Sequence, residues 1–199
     1  MGEGRYEDLR KVEHRTYQPT LKASRSDIDK AVSMIAAAKK PLFYCGGGVI
    51  NSGPKACKKL DRLVKLTGAP ITLTLMGLGA YPGTDRQFLG MLGMHGTYEA
   101  NLAMHDADLI VAVGARFDDR ITGRLDAFAP NSEKIHIDID PSSINKNVAV
   151  DLPIVGDVEN VLDQILRAWN AKKLRAKPRV LNAWWKQIEH WRAQDCLKY

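Results

Sequence analysis

The string Gly114-Ala115-Arg116-Phe117-Asp118-Asp119-Arg120 follows the apolar run Leu109-Ile110-Val111-Ala112-Val113. Two arginines flank two aspartates where a strand should end, and a guanidinium at such an edge can grip a phosphate through two parallel hydrogen bonds. The competing reading is a solvated salt-bridge network. Gly46-Gly47-Gly48 follows a second apolar run, Pro41-Leu42-Phe43-Tyr44-Cys45. Glycine admits a phosphate close to the backbone, and the free N–H groups of a following helix favour anions, so this loop is a candidate diphosphate cradle. Tight turns in an ordinary α/β protein explain it equally well. It is not a Walker A loop, because Pro54 stands where the lysine should follow Gly53. Nor is it G-x-G-x-x-G, because Asn51 takes the place of the third glycine. Asp138 or Asp140, after Lys134-Ile135-His136-Ile137, and Asp157, beside Gly156, are acidic residues of the kind that accept hydrogen bonds from ribose hydroxyls.

Other chemistries fit poorly. The chain has no G-x-S-x-G elbow, and its five histidines form no H-E-x-x-H pair. His95 stands out because Leu92-Gly93-Met94-His95-Gly96 places glycines on both sides of Met94-His95. His136 alternates with isoleucines, as a satisfied strand residue does. The three cysteines, Cys45, Cys57 and Cys196, show neither disulfide nor zinc spacing, and Cys45 reads as a small buried thiol.

The elements that must position these loops are legible in the apolar periodicity. Ser26 with Asp29 resembles a capping box, followed by Ile28, Ala31, Val32, Ile35 and Ala36 at helical spacing. The glycine loop leads into a helix opening at Ser52-Gly53-Pro54 and running to Gly68. Further strands are predicted at 70–75, 109–113, 134–139 and, more briefly, 153–155, with helices over 98–104 and 158–169. This alternation predicts βαβ units, a mostly parallel doubly wound sheet and a three-layer α/β domain. Runs that are apolar on both faces, at 42–45 and 109–113, suit strands covered from both sides. Ligands then belong at the carboxyl ends of the strands, where all five loops carry small, acidic or basic residues.

At 199 residues and 45% hydrophobic content the chain suffices for one domain with flanking arms. We expect an arm over 1–24, the domain over 25–175, and an amphipathic helix or linker over 176–199. The formal charge of +6 resides at the C-terminal end, since residues 171–199 hold eight Lys/Arg against two Asp/Glu and account for the whole surplus. The folded body is therefore not a basic protein, and nucleic acid is not the expected partner. No apolar run reaches membrane-spanning length and no secretory signal opens the chain, so a soluble cytoplasmic protein is expected, without a membrane partner. From about Pro178, Leu181, Trp184, Trp185, Ile188 and Trp191 share one helical stripe. The stripe needs a partner surface, and two remain open: this domain's own sheet, or a further part of a longer chain.

The ten-residue string Gly114-Ala115-Arg116-Phe117-Asp118-Asp119-Arg120-Ile121-Thr122-Gly123 resembles the acetohydroxyacid synthase (acetolactate synthase) family. Leu92-Gly93-Met94-His95-Gly96 and Asp138-Ile139-Asp140-Pro141-Ser142-Ser143-Ile144-Asn145-Lys146 agree in the expected order, and the resemblance covers roughly residues 17–199. It implies the central, Rossmann-like three-layer domain of a thiamine-diphosphate-dependent enzyme, excised from a longer chain and inactive alone. FAD is the cofactor implied for this domain. Gly46, Gly47 and Gly48 would lie against its diphosphate and ribityl chain, with Thr74 and Leu75 nearby. Leu92, Gly93, Met94 and His95 would border the flavin, and Gly114, Arg116, Asp118 and Arg120 would contact the ribityl and diphosphate. Asp138, Ile139, Asn145, Gly156 and Asp157 would serve the adenosine end. Met94, Asp119 and Arg120 match positions where herbicides bind. No catalytic residue and no metal ligand is implied in this chain. Thiamine diphosphate and magnesium belong to the family's first and third domains, which are partners by the same resemblance, together with further copies in a homodimer or homotetramer and a small regulatory subunit. A stand-alone NAD- or FAD-binding regulatory module, and a spacer that has lost its ligand, are the alternatives.

Overall fold

The computed structural model describes residues 19–176 and 178–195. Of the arm expected over 1–24, residues 1–18 lie outside that range, as does Cys196. Leu21 and Ala23 are tied to the domain: Asp157 N–H donates to the Leu21 carbonyl, and Ala23 exchanges two hydrogen bonds with the Gln164 side chain.

Among the described residues six strands form one sheet: β1 (Pro41–Cys45), β2 (Ile71–Leu73), β3 (Phe88–Met91), β4 (Leu109–Val113), β5 (Glu133–Asp138) and β6 (Leu152–Val155). Every adjacent pair is parallel and the spatial order is β3-β2-β1-β4-β5-β6. The expected doubly wound α/β domain is therefore observed. The direction of winding reverses between β1 and β4, the place where such sheets open a crevice for ligands. Both strands are buried along their whole length, as their unbroken apolar runs require.

One face of the sheet carries α1 (Arg25–Ala37), α3 (Pro54–Thr67) and α6 (Val158–Ala171), packed on Phe43, Cys45, Val111 and Ile135. The opposite face carries α4 (Tyr98–Asp106) and α7 (Pro178–Arg192), packed on Leu42, Tyr44 and Ile110. Two short helices, α2 (Gly47–Asn51) and α5 (Asp119–Thr122), open directly from the loops that follow β1 and β4. No helix among the described residues is long and apolar enough to cross a membrane.

The tryptophan stripe of α7 is seated on this domain. Trp184 is buried and its indole donates to the Pro41 carbonyl, while Trp185 donates to the Gly68 carbonyl. Of the two partner surfaces the sequence left open, the domain's own sheet takes the stripe.

Several boundaries differ from the sequence reading. The cap of α1 is Ser24 rather than Ser26: its hydroxyl accepts from Asp27 N–H and donates to the Asp27 carboxylate, a reciprocal cap two residues earlier. The strand expected over 70–75 stops at Leu73, because Thr74 caps a single helical turn at Leu75–Gly77 through its hydroxyl. Strand β3 was not predicted. It is a four-residue edge strand interrupted by Gly90 at φ +92, and its pairing with β2 is irregular, so it carries little periodic signal.

Candidate functional site

Strand register brings the candidate loops to one edge. Cys45 pairs with Val113 and with Leu73, and Val113 pairs with Ile137. Gly46, Thr74, Gly114 and Asp138 therefore leave the sheet side by side. Together they surround a cleft of about 890 Å³, a volume suited to a sizeable cofactor. Gly46, Gly47 and Gly48 form one wall with Asn51 and Ser52; Thr74, Leu75 and Met76 form the next. Gly114, Arg116, Asp118, Asp119 and Arg120 stand opposite, and Asp138, Ile139 and Asp157 close the far end. The loops at 46–48 and 114–120 thus share one cavity.

The glycines are required first by packing of backbone on backbone. A β-carbon on Gly48 would stand 2.6 Å from Gly114 Cα, and one on Gly46 would collide with the Gly114 carbonyl oxygen. Gly114 itself has φ +54, which costs a residue with a side chain more than it costs glycine. Hydrogen bonds follow the same contact: Gly46 N–H donates to the Val113 carbonyl and Gly48 N–H to the Gly114 carbonyl, both at 3.0 Å. Gly47 faces Met76 instead, where a β-carbon would be tight at 3.2 Å.

The 114–120 loop is clamped through three carbonyls by three other segments. Tyr44 Oη donates to Arg116 O at 2.8 Å, Asn147 Nδ2 to Phe117 O at 2.8 Å, and Met94 N–H to Arg120 O at 3.1 Å. Phe117 anchors the loop from below, its ring against Tyr44, Phe128 and His136 at centroid distances of 5.5, 5.8 and 5.4 Å. Burial, and then the nearby Asp118 carboxylate, push the Tyr44 pKa up, so its hydroxyl remains a donor. With backbone and anchor held, the charged side chains are turned outward. Arg116 pairs with Asp118 at 2.8 Å with 61% and 41% of the side chains exposed, and Arg120 pairs loosely with Asp119 at 3.7 Å. Such exposed pairs are worth little, so both guanidiniums are free to exchange their carboxylates for a phosphate.

The acidic candidates separate in the structure. Asp140 caps the turn at Pro141–Ser143 through Ser142 N–H and the Ser142 hydroxyl, and does not line the cleft. Asp157 lines it while capping α6 through Asn160 N–H and accepting from the Ser52 hydroxyl. Asp138 lines it with Oδ1 accepting from Asp140 N–H.

Six of the residues singled out by resemblance do not line the cleft. Leu92 is buried in the core beneath α4 and α7. Gly93, at φ +100, abuts the Arg120 carbonyl, and Met94 is 67% exposed beside it, so these two stand at the rim. His95 is exposed next to Met94. Asn145, at φ +59, accepts from Val150 N–H and shapes its own loop. Gly156 packs against Val161 behind Asp157. Conversely, Tyr44, Ser52, Met76 and Ile121 contribute to the cleft without having been predicted. A buried tyrosine in an apolar strand was the one available signal, since its hydroxyl must find a partner.

Cys45 is fully buried and its thiol pKa is pushed up by burial, and no cluster of His, Cys, Asp or Glu among the described residues is arranged to hold a metal ion.

The family described as "Thiamine pyrophosphate enzyme, central domain" matches residues 28–165. The chain belongs to that family. As a thiamine pyrophosphate enzyme central domain it is 48% identical over 194 residues to the acetolactate synthase large subunit of Haemophilus influenzae, covering 98% of this chain and 33% of that protein. It is 50% identical over 188 residues to the acetolactate synthase isozyme 3 large subunit of Escherichia coli, covering 94% and 32%. Similarity to the acetolactate synthase of Mycobacterium avium is 50% over 150 residues, covering 75% and 24%. The central domain therefore spans about a third of the length of the first two relatives.

Proposed function

We propose that this domain binds FAD as the central part of an acetolactate synthase large subunit. The observation that carries the reading is the convergence of Gly46–Gly48 and Arg116–Arg120 on one cleft at the switch point between β1 and β4. The cleft fits the cofactor. Glycine backbone and two freely exchangeable guanidiniums suit a diphosphate, and Asp138 at the far end suits ribose hydroxyls. The exposed apolar rim of Leu75 and Met76 suits a flat ring system.

In this reading the full-length enzyme condenses two pyruvates, or pyruvate with 2-oxobutyrate, with loss of carbon dioxide. Thiamine diphosphate and magnesium are held by its first and third domains. FAD serves as a bound structural group with no net redox turnover. This domain supplies positioning and no catalytic residue, so alone it is inactive. Its partners are the other two domains, further copies in a dimer or tetramer and a small regulatory subunit, in the cytoplasm.

One observation favours a second reading. The strand order is shared with NAD-binding folds. Against it, β2 leads into Thr74 and Leu75, with no acidic residue to take the adenosine ribose of NAD. Titration of FAD into the chain, followed by quenching of flavin fluorescence with NAD as the control, separates them. Saturable binding of FAD alone supports the proposal; saturable NAD binding replaces it with the second reading.

A further inference from the structure

His136 is the residue of the sheet that the site has not explained. Its side chain is fully buried; neither ring nitrogen makes a hydrogen bond of good geometry, and the one backbone group within bonding reach of the ring is that of Ala115. Native proteins seldom leave a buried polar group unanswered, and such a group calls for a specific reason. Phe117 packs edge-on against the ring. Nε2 stands 3.9 Å from Asp138 Oδ2, just beyond hydrogen-bond length.

Asp138 is the cleft residue at the end of the same strand, with its side chain only 13% exposed. Oδ1 already accepts from Asp140 N–H. Oδ2 is the oxygen left for a ligand, and it is also the one nearest His136. Each carboxylate oxygen has two lone pairs, so Oδ2 can accept from a ligand hydroxyl and from an imidazole together.

We propose that His136 is a positioning residue for Asp138: on ligand binding the carboxylate settles towards the ring, Nε2–H donates to Oδ2, and the plane of the carboxylate is locked against the ligand hydroxyl. The buried imidazole is thus a partner held in reserve for the bound state. This inference rests on the reading of the cleft as an FAD site.

A double-mutant cycle on the 199-residue chain tests it, with FAD affinity and thermal melting measured for the wild type, His136→Phe, Asp138→Asn and the double variant. His136→Phe should melt close to the wild-type temperature, because a phenyl ring fits the aromatic surroundings and leaves no buried nitrogen poorly bonded. Its FAD affinity should nonetheless fall about tenfold, the size of one charge-assisted hydrogen bond. The double variant should bind no more weakly than Asp138→Asn alone. His136→Gln, which keeps an N–H near the Nε2 position, should recover most of the affinity, and this holds even if the phenylalanine variant folds poorly. If wild type and Asp138→Asn bind FAD equally, the assignment of that end of the cleft fails. If Asp138→Asn weakens binding while His136→Phe does not, or the two losses simply add, the FAD reading stands and the role of His136 is overturned.

Discussion

Gly48 and Gly114 touch backbone to backbone: a β-carbon on Gly48 would stand 2.6 Å from Gly114 Cα, and one on Gly114 would stand 2.7 Å from Gly48 Cα. They follow the two strands between which the winding of the sheet reverses, so the floor of the cleft is itself a glycine–glycine contact.

Gly48→Ala should therefore damage fold and site together. Overpacking of this kind costs about 1–3 kcal/mol, and each kcal/mol lowers Tm by roughly 2–4 °C in a chain of this size. Differential scanning calorimetry is the check, and a Tm within a degree of wild type would show that the two loops separate easily.

Arg116→Ala should separate binding from stability. Its pairing with Asp118 is exposed, so the melting temperature should hardly move. FAD binding should weaken by about 1–3 kcal/mol, the usual size of a lost charged hydrogen bond. Calorimetric titration of the folded variant decides, and unchanged affinity removes Arg116 from the site.

Trp184→Ala should show that α7 is part of this domain's core. The side chain is buried, bonded to the Pro41 carbonyl and set edge-on to Trp191 at 5.7 Å. Truncating a buried tryptophan costs roughly 3–5 kcal/mol. Urea denaturation should report that loss, whereas a loss below about 1 kcal/mol would mean that α7 packs only loosely on the sheet.

The pH dependence of stability should carry the signature of His136. Burial lowers its pKa below the ordinary 6.5 in the folded chain, so on acidification the unfolded chain takes up this proton first. Stability from this residue is fully present above 6.5 and is lost as the pH falls from there towards the lowered folded value. His136→Phe should flatten that part of the profile in melts between pH 7 and 5. An unchanged slope would show that other groups set it.

Much of this was legible in the chain because it is local. Apolar runs bounded by glycine and proline announced β1 and β4, and the spacing of Leu181, Trp184, Ile188 and Trp191 announced an amphipathic helix. Arg116, Asp118 and Arg120 could be singled out because charges immediately after an apolar strand must lie at its end. Strand β3 escaped because a four-residue edge strand containing glycine has neither length nor periodicity. The cap of α1 was displaced by two residues because Ser24 and Ser26 both precede an aspartate by three positions, and the choice between them is made by how the chain leaves Ala23, pinned to Gln164 of α6.

By itself, then, the amino-acid sequence determined the alternating elements, the placement of charged and glycine residues in the loops between them, and a family resemblance that the match over residues 28–165 bears out. Those properties depend on neighbours within a turn or a strand. Tertiary structure alone decided that Gly48 meets Gly114, that α7 turns its tryptophans onto its own sheet, that Asp138 rather than Asp140 faces the cleft, and that His136 is buried close to it. Each depends on strand order and register, which bring together residues tens of positions apart, and no local pattern encodes that distance.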